Sequence, residues 1–263
     1  NFCPSCQAKR GALFGERLIE EILADVPHRH VTFTIPKALR GLFERERKLL
    51  KILPQCAHRA IEVMLREVVG RRDVRVGTVA SIQTFGSFGA NFHPHVHAIV
   101  TDGVFHPLGA RALYFERVEW WDVAAVAQVF REFVFAALVA AQRLRPETAE
   151  MMRSWQHSGF NVHASEPVLP TDRDRLEKIA RYARPGSAGP GRDAAAGRRS
   201  RPGADSPSSA DGRDADGVRR PGDDPPSVRA DPRRAAAHDS LLRLVLAPGA
   251  GGAAKGQIGR AHV

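Results

Sequence analysis

Asn91-Phe92-His93-Pro94-His95-Val96-His97 places three imidazoles at alternate positions within seven residues. Successive side chains of an extended chain point to opposite faces, so His93, His95 and His97 share one side, with neighbours about 6 to 7 Å apart along the backbone. Such a row suits one divalent cation held by two imidazoles and a third ligand from elsewhere. Packing alone rarely demands three histidines at that spacing, whereas the isolated His106, His157 and His163 read as surface or locally hydrogen-bonded side chains. Pro94 cannot donate to a ladder, so the strand that carries it is an edge strand or is bulged there.

Outward from this segment the pattern is one of mixed elements. Residues 74–85, rich in Val, Thr and Ile, and residues 94–100 read as two strands joined through 86–91, whose two glycines suit a turn. Upstream, residues 31–35 are β-branched and aromatic and stop at Pro36, which marks another strand. Helices are expected over 13–24, over 39–53 and over 57–69, with a break at Pro54 and a stop at Gly70. Cys56 falls on the apolar face of this region and reads as a core residue. Downstream, a strand is expected at 112–118, helices at 121–144 and 147–156, a strand at 160–164, and a helix at 172–182 capped by Thr171. No regular βαβ alternation appears, which favours an α+β domain: an antiparallel sheet carrying the histidines and flanked by helices.

The order of the motifs resembles a family. Pro27-His28-Arg29-His30-Val31-Thr32-Phe33-Thr34-Ile35-Pro36 is followed by Ser81-Ile82-Gln83-Thr84-Phe85-Gly86, the histidine segment, and Thr101-Asp102-Gly103-Val104-Phe105. Gly159-Phe160-Asn161-Val162-His163 and Ile179-Ala180-Arg181-Tyr182 complete the series. Together they resemble the two-tyrosine rolling-circle transposases of bacterial insertion sequences, members of the HUH superfamily named for His-hydrophobic-His, here His95-Val96-His97. The resemblance implies a transposase domain over 13–182 that binds Mg²⁺ or Mn²⁺ through His95 and His97, with His93 or Gln83 as the third ligand. It also implies a tyrosine that attacks a scissile phosphodiester to leave a 5′-phosphotyrosine, covalent catalysis assisted by a Lewis acid. The partner implied is single-stranded DNA at insertion-sequence ends, in the cytoplasm. The family carries a Cys-rich zinc module upstream of the nuclease domain. Cys3 and Cys6 therefore read as half of a tetrahedral zinc site, and residues 1–12 as a remnant of that module, which needs two further ligands to close.

One element of the family is missing. The paired tyrosines of its Tyr-x-x-x-Tyr motif do not occur; the chain has two tyrosines, Tyr114 and Tyr182, and neither sits in that pattern. No nucleophile is therefore assigned, and the chain reads as catalytically dead. Residues 183–263 suggest a cause. Of these 81 residues, 68 are Ala, Gly, Arg, Asp, Pro or Ser, and none of the chain's 18 aromatic residues lies among them. So little apolar side chain cannot offset the entropy of ordering, so the tail is expected to be disordered. The same composition suits a GC-rich gene read out of frame: one permissible coding of Ser240–Leu246, advanced by a nucleotide, reads Pro-Tyr-Tyr-Gly-Trp-Tyr. The opening Asn1-Phe2-Cys3 likewise reads as N-terminally incomplete.

Charge and composition agree with this class. The chain carries 39 Lys+Arg against 29 Asp+Glu, a net +10, which favours nucleic acid over acidic metabolites. Arg71, Arg72 and Arg75 are candidate phosphate contacts. The longest nearly apolar stretch, 133–141, is far short of the roughly 20 residues of a membrane span. Three cysteines make no disulfide framework and point to a reducing compartment. Two rival classes remain: a metal-dependent hydrolase that activates water, and a non-catalytic DNA-binding module.

Overall fold

The structure is a computed structural model, and it describes residues 4–85, 91–109 and 112–183. Cys3, most of the expected turn at 86–91, and the expected disordered tail beyond residue 183 lie outside the described residues. The strands are β1 (His28–Thr34), β2 (Thr78–Phe85), β3 (Phe92–Thr101), β4 (Gly103–Leu108), β5 (Ala112–Arg117) and β6 (Asn161–Ala164). A four-stranded antiparallel sheet runs in the order β2-β3-β1-β6, and β4 and β5 pair as a separate ribbon. The expected α+β architecture is the one observed; the β4 strand was not anticipated, because Pro107 and two flanking glycines mask its short apolar alternation.

β3 is a central strand, so Pro94 is not at a sheet edge. It lies in a bulge. Gln83 faces His95 and Phe85 faces Phe92, so β3 spends one residue more than β2 over this interval. On its other side β3 meets the last paired residue of β1, Thr34, at His95, so the missing N–H of Pro94 breaks no ladder bond there.

The two faces of the sheet differ in chemistry. Val31, Phe33, Val96, Ala98 and Val100 point to one side and are buried beneath two long helices, α3 (Ile52–Val69) and α4 (Val123–Ala140). Phe33 and Phe130 meet edge-on at 4.9 Å, and Phe160 is wedged against Phe130 and Phe135 at 5.8 and 5.4 Å. α4 is shorter than the expected 121–144, yet its mean hydropathy of 1.8 over 18 residues is enough by length and composition to cross a bilayer. Its Val126, Val129, Phe130, Val134, Phe135 and Leu138 are instead consumed by this core.

Among the described residues, the opposite face is capped at one end. α1 (Pro4–Arg17), its π-helical continuation Leu18–Ile22, and α6 (Arg173–Tyr182) bring Leu18, Leu176, Ile179 and Ala180 onto Ile99 of β3. α1 runs through the boundary expected between residues 12 and 13. Cys6 lies on it.

Several helix limits moved for local reasons. The helix expected over 39–53 is α2 (Lys37–Arg45) followed by a 3-10 segment, Arg47–Lys51. Pro54 does not break α3: it occupies the first turn, where no N–H is needed. Gly70 closes α3 in the left-handed conformation at φ 68°, as expected. The helix expected over 147–156 is α5 (Pro146–Arg153), with the proline at its start. Asp172 rather than Thr171 caps α6, accepting from the Arg175 N–H at 3.1 Å, and Asp122 caps α4 in the same way at 2.9 Å. Cys56 is a core residue, and burial pushes its thiol up to about 12.

The Thr101-Asp102-Gly103 turn joins the two sheets. The fully buried Asp102 carboxylate accepts from the Arg29 guanidinium of β1 and, at 2.9 Å, from Arg117 of β5. Gly103 is obligatory beside it, since a Cβ there would lie 2.1 Å from the Glu116 carbonyl oxygen. This part of the family-like motif therefore builds a corner rather than a site.

Candidate metal centre

In-register partners of an antiparallel sheet share a face, so the histidine side can be listed from the ladder. His97 pairs with Thr32 of β1 and Ser81 of β2; His95 pairs with Thr34 and Gln83. Thr32 in turn pairs with His163 of β6, and Thr34 with Asn161. Strand alternation thus collects His, Thr, Ser, Gln and Asn side chains on one surface while the other takes Val, Phe and Ala. Along β3 this surface passes from Ile99, sealed under α6, through His97 at 8% exposure, to the half-buried His95 and His93.

The three predicted imidazoles do form a row. Ring centroids are 5.3 Å apart between His93 and His95 and 4.8 Å apart between His95 and His97. His95 Nδ1 lies 2.7 Å from the His93 carbonyl oxygen, so Nδ1 carries the proton and donates, and Nε2 retains its lone pair. His97 Nδ1 is engaged by His30 Nε2 at 2.9 Å and by Thr32 Oγ1 at 3.4 Å. Gln83 is buried directly opposite His95. These donors suit a divalent cation in kind: two imidazoles whose outer nitrogens have hydrogen-bond partners, and an amide oxygen within reach across one strand spacing. Among the described residues no three or more His, Cys, Asp or Glu side chains are gathered round a single point.

Burial disfavours the charged form of three imidazoles on this face, His30, His97 and His93. Burial, with a lesser push from His163, lowers His30 to about 4. Burial, then His30 and His95, lowers His97 to about 3. Burial and the charge of Arg40 lower His93. In the unfolded chain these rings titrate near 6.5, so below that pH it binds protons that the native pair refuses. Stability is therefore whole above about pH 6.5 and falls as the pH drops towards 4 and then 3. Urea unfolding at pH 7 and pH 4.5 measures the loss, and replacing both His30 and His97 by Gln should flatten it. An unchanged slope in that double variant would contradict the buried neutral pair.

Of the other candidates, Arg72 and Arg75 have exposed side chains. Arg71 is committed to Asp73 through two bonds of 3.0 and 2.6 Å, and the Arg75 backbone pairs with Phe105. His106 bonds Glu116 at 2.6 Å, and His157 is exposed, as expected. His163 is exposed too, but it belongs to the histidine face. Two cations that sequence reading passed over stand at the open end of the row. Arg40 of α2 has its Nε buried with no hydrogen-bond partner, and Arg47 stacks 5.4 Å over the Phe92 ring. Among the described residues neither forms an ion pair. His30 was also missed as a site residue, although its alternation with His28, Thr32 and Thr34 repeats the signal of the histidine segment.

Residues 77–189 match the family Y2_Tnp, described as "Putative transposase". The "Transposase for insertion sequence element IS801" of Pseudomonas savastanoi pv. phaseolicola is 37% identical over 101 residues, 38% of this chain and 23% of that protein. "Putative transposase y4qJ" of Sinorhizobium fredii (strain NBRC 101917 / NGR234) is 27% identical over 142 residues, 53% of this chain and 34% of that protein. The matched stretches thus span only 23% and 34% of the length of these relatives. No solved structure matches.

Proposed function

We propose, from the match of residues 77–189 to a family described as putative transposases and from the likeness to an insertion-sequence transposase, a DNA strand-transfer domain that holds one divalent cation on its histidine face. The observation that carries the reading is the placement of His95 and His97 side by side, 4.8 Å between rings, with Nδ1 of each in a hydrogen bond. Their Nε2 atoms would hold Mg²⁺ or Mn²⁺. Gln83, rather than His93, completes the set, because it is buried directly across the ladder from His95. Bound there, the cation would draw charge from the oxygens of a scissile phosphodiester.

The residues of this chain position the strand. Arg40 and Arg47 lie beside His93 and Phe92, at the end of the row that opens to solvent, and neither has an acidic partner among the described residues. For the half-buried Arg40 guanidinium the lack of a counter-charge is costly unless a ligand supplies one, and a phosphate of single-stranded DNA does so. The ends of an insertion sequence are the substrate, and the cytoplasm the setting. Cys3 and Cys6 would supply two ligands of a zinc site, and residues 183–263 would be an out-of-frame tail.

The covalent step is what this chain lacks. Tyr114 is exposed on β5, in the separate ribbon, where its ring neighbours His106 at 6.0 Å. Tyr182 ends α6 and stands outside any Tyr-x-x-x-Tyr pattern. The chain therefore binds cation and DNA and leaves the phosphodiester intact. Incubation with Mn²⁺ and a hairpin-containing single-stranded oligonucleotide, read on native and denaturing gels, tests this. Metal-dependent retention with no covalent adduct is expected. A phosphotyrosine adduct overturns the inactivity, hydrolysis without adduct favours the hydrolase class, and failure to retain DNA overturns the strand-transfer reading.

A further inference from the structure

We propose that His30 is a positioning residue for His97: it accepts the Nδ1–H of His97 and so holds that ring in the tautomer whose Nε2 keeps the lone pair. The inference rests on the proposed role of His97 as a metal ligand. A neutral imidazole has one N–H and one lone pair, and a cation can take only the lone pair. Which nitrogen offers it is decided by the partner of the other nitrogen.

His30 is built to be that partner. It lies on β1 two residues from Thr32, the in-register partner of His97, and therefore on the same face. The rings stack at 5.0 Å with 10° between their planes, and His30 Nε2 stands 2.9 Å from His97 Nδ1. The stack removes rotational freedom that an isolated acceptor would keep. The His30 backbone is itself anchored on both sides, its N–H donating to Ser165 Oγ at 3.0 Å and its carbonyl accepting from the Ser165 N–H at 2.9 Å. His95 achieves the same result by a different route, donating Nδ1–H to the His93 carbonyl oxygen. A backbone acceptor fixes one imidazole and a side-chain acceptor the other. The Nε2 lone pairs of both rings would then serve one cation, and no carboxylate is added to the buried site.

Two variants separate acceptor from ring. His30→Phe keeps an aromatic ring for the stack and removes the acceptor; His30→Gln keeps an acceptor and removes the ring. In the metal-free wild-type protein, long-range ¹H–¹⁵N NMR should show His97 protonated at Nδ1 and His30 unprotonated at Nε2. His30→Phe should yield a mixture of His97 tautomers and weaken Mn²⁺ binding by about 10 to 100-fold, the effect typical of losing an outer-shell partner. His30→Gln should stay within about threefold of wild type if an acceptor is all that the site needs. The opposite tautomer in the wild type overturns the proposal whether or not either variant folds, and so does wild-type Mn²⁺ affinity in a folded His30→Phe. A wild-type protein that binds no Mn²⁺ refutes the metal reading instead, while the NMR assignment still decides the role of His30.

Discussion

Replacing Asp102 with Ala lowers the unfolding free energy by about 3 to 5 kcal/mol, the range for removing one partner of a buried ion pair. The carboxylate is fully buried and accepts from Arg29 and Arg117, so its loss strands positive charge. The burden falls unequally. Arg117 has 44% of its side chain exposed and can return to water, whereas Arg29 is 11% exposed, stacks 5.4 Å from the Trp121 ring and donates to the Ser165 carbonyl oxygen at 3.1 Å. Arg117→Ala should therefore cost no more than about 1 kcal/mol. Denaturant unfolding of the two variants compares them directly. A loss below about 1 kcal/mol for Asp102→Ala would mean that this triad does not hold the ribbon to the main sheet.

The second large effect concerns the cation. Replacing His95 or His97 with Ala should weaken Mn²⁺ binding about a hundredfold or more, since loss of even an outer-shell partner costs 10 to 100-fold. His93→Ala should leave the affinity within about threefold and Gln83→Ala should reduce it about tenfold, the order expected if the amide is the third donor. Titration calorimetry with Mn²⁺ measures all four. The reverse order for Gln83 and His93 transfers the third position to His93, and full affinity in both His95→Ala and His97→Ala removes the cation from this face altogether. His97→Ala is not expected to unfold the protein, because the ring sits on the polar face of the sheet, outside the main apolar core.

How far the site was legible depends on range. The alternation of His93, His95 and His97 carries its own geometry, because strand pleating acts over two residues. The bulge at Pro94 was half legible: the missing N–H announced an irregularity, but only the pairing of β3 on both sides showed that it sits inside the sheet. His30, Arg40 and Arg47 gave no local signal strong enough to single them out. Each became a site residue because β1, α2 and the 3-10 segment were brought against β3 across 45 or more positions of chain.

From composition and periodicity alone, the chain reads as an α+β domain with its histidines in a row and no paired tyrosines, and the order of its motifs adds a resemblance to insertion-sequence transposases. Those properties are short-range or additive: side-chain alternation, helix stops such as Gly70, and the absence of a residue type need no partner to be read. Which nitrogens face the site, what buries Asp102, and which cations stand beside the row were decided only by the tertiary structure. Hydrogen-bond direction, desolvation and charge pairing depend on groups distant in the chain, and only the register β2-β3-β1-β6 brings those groups together.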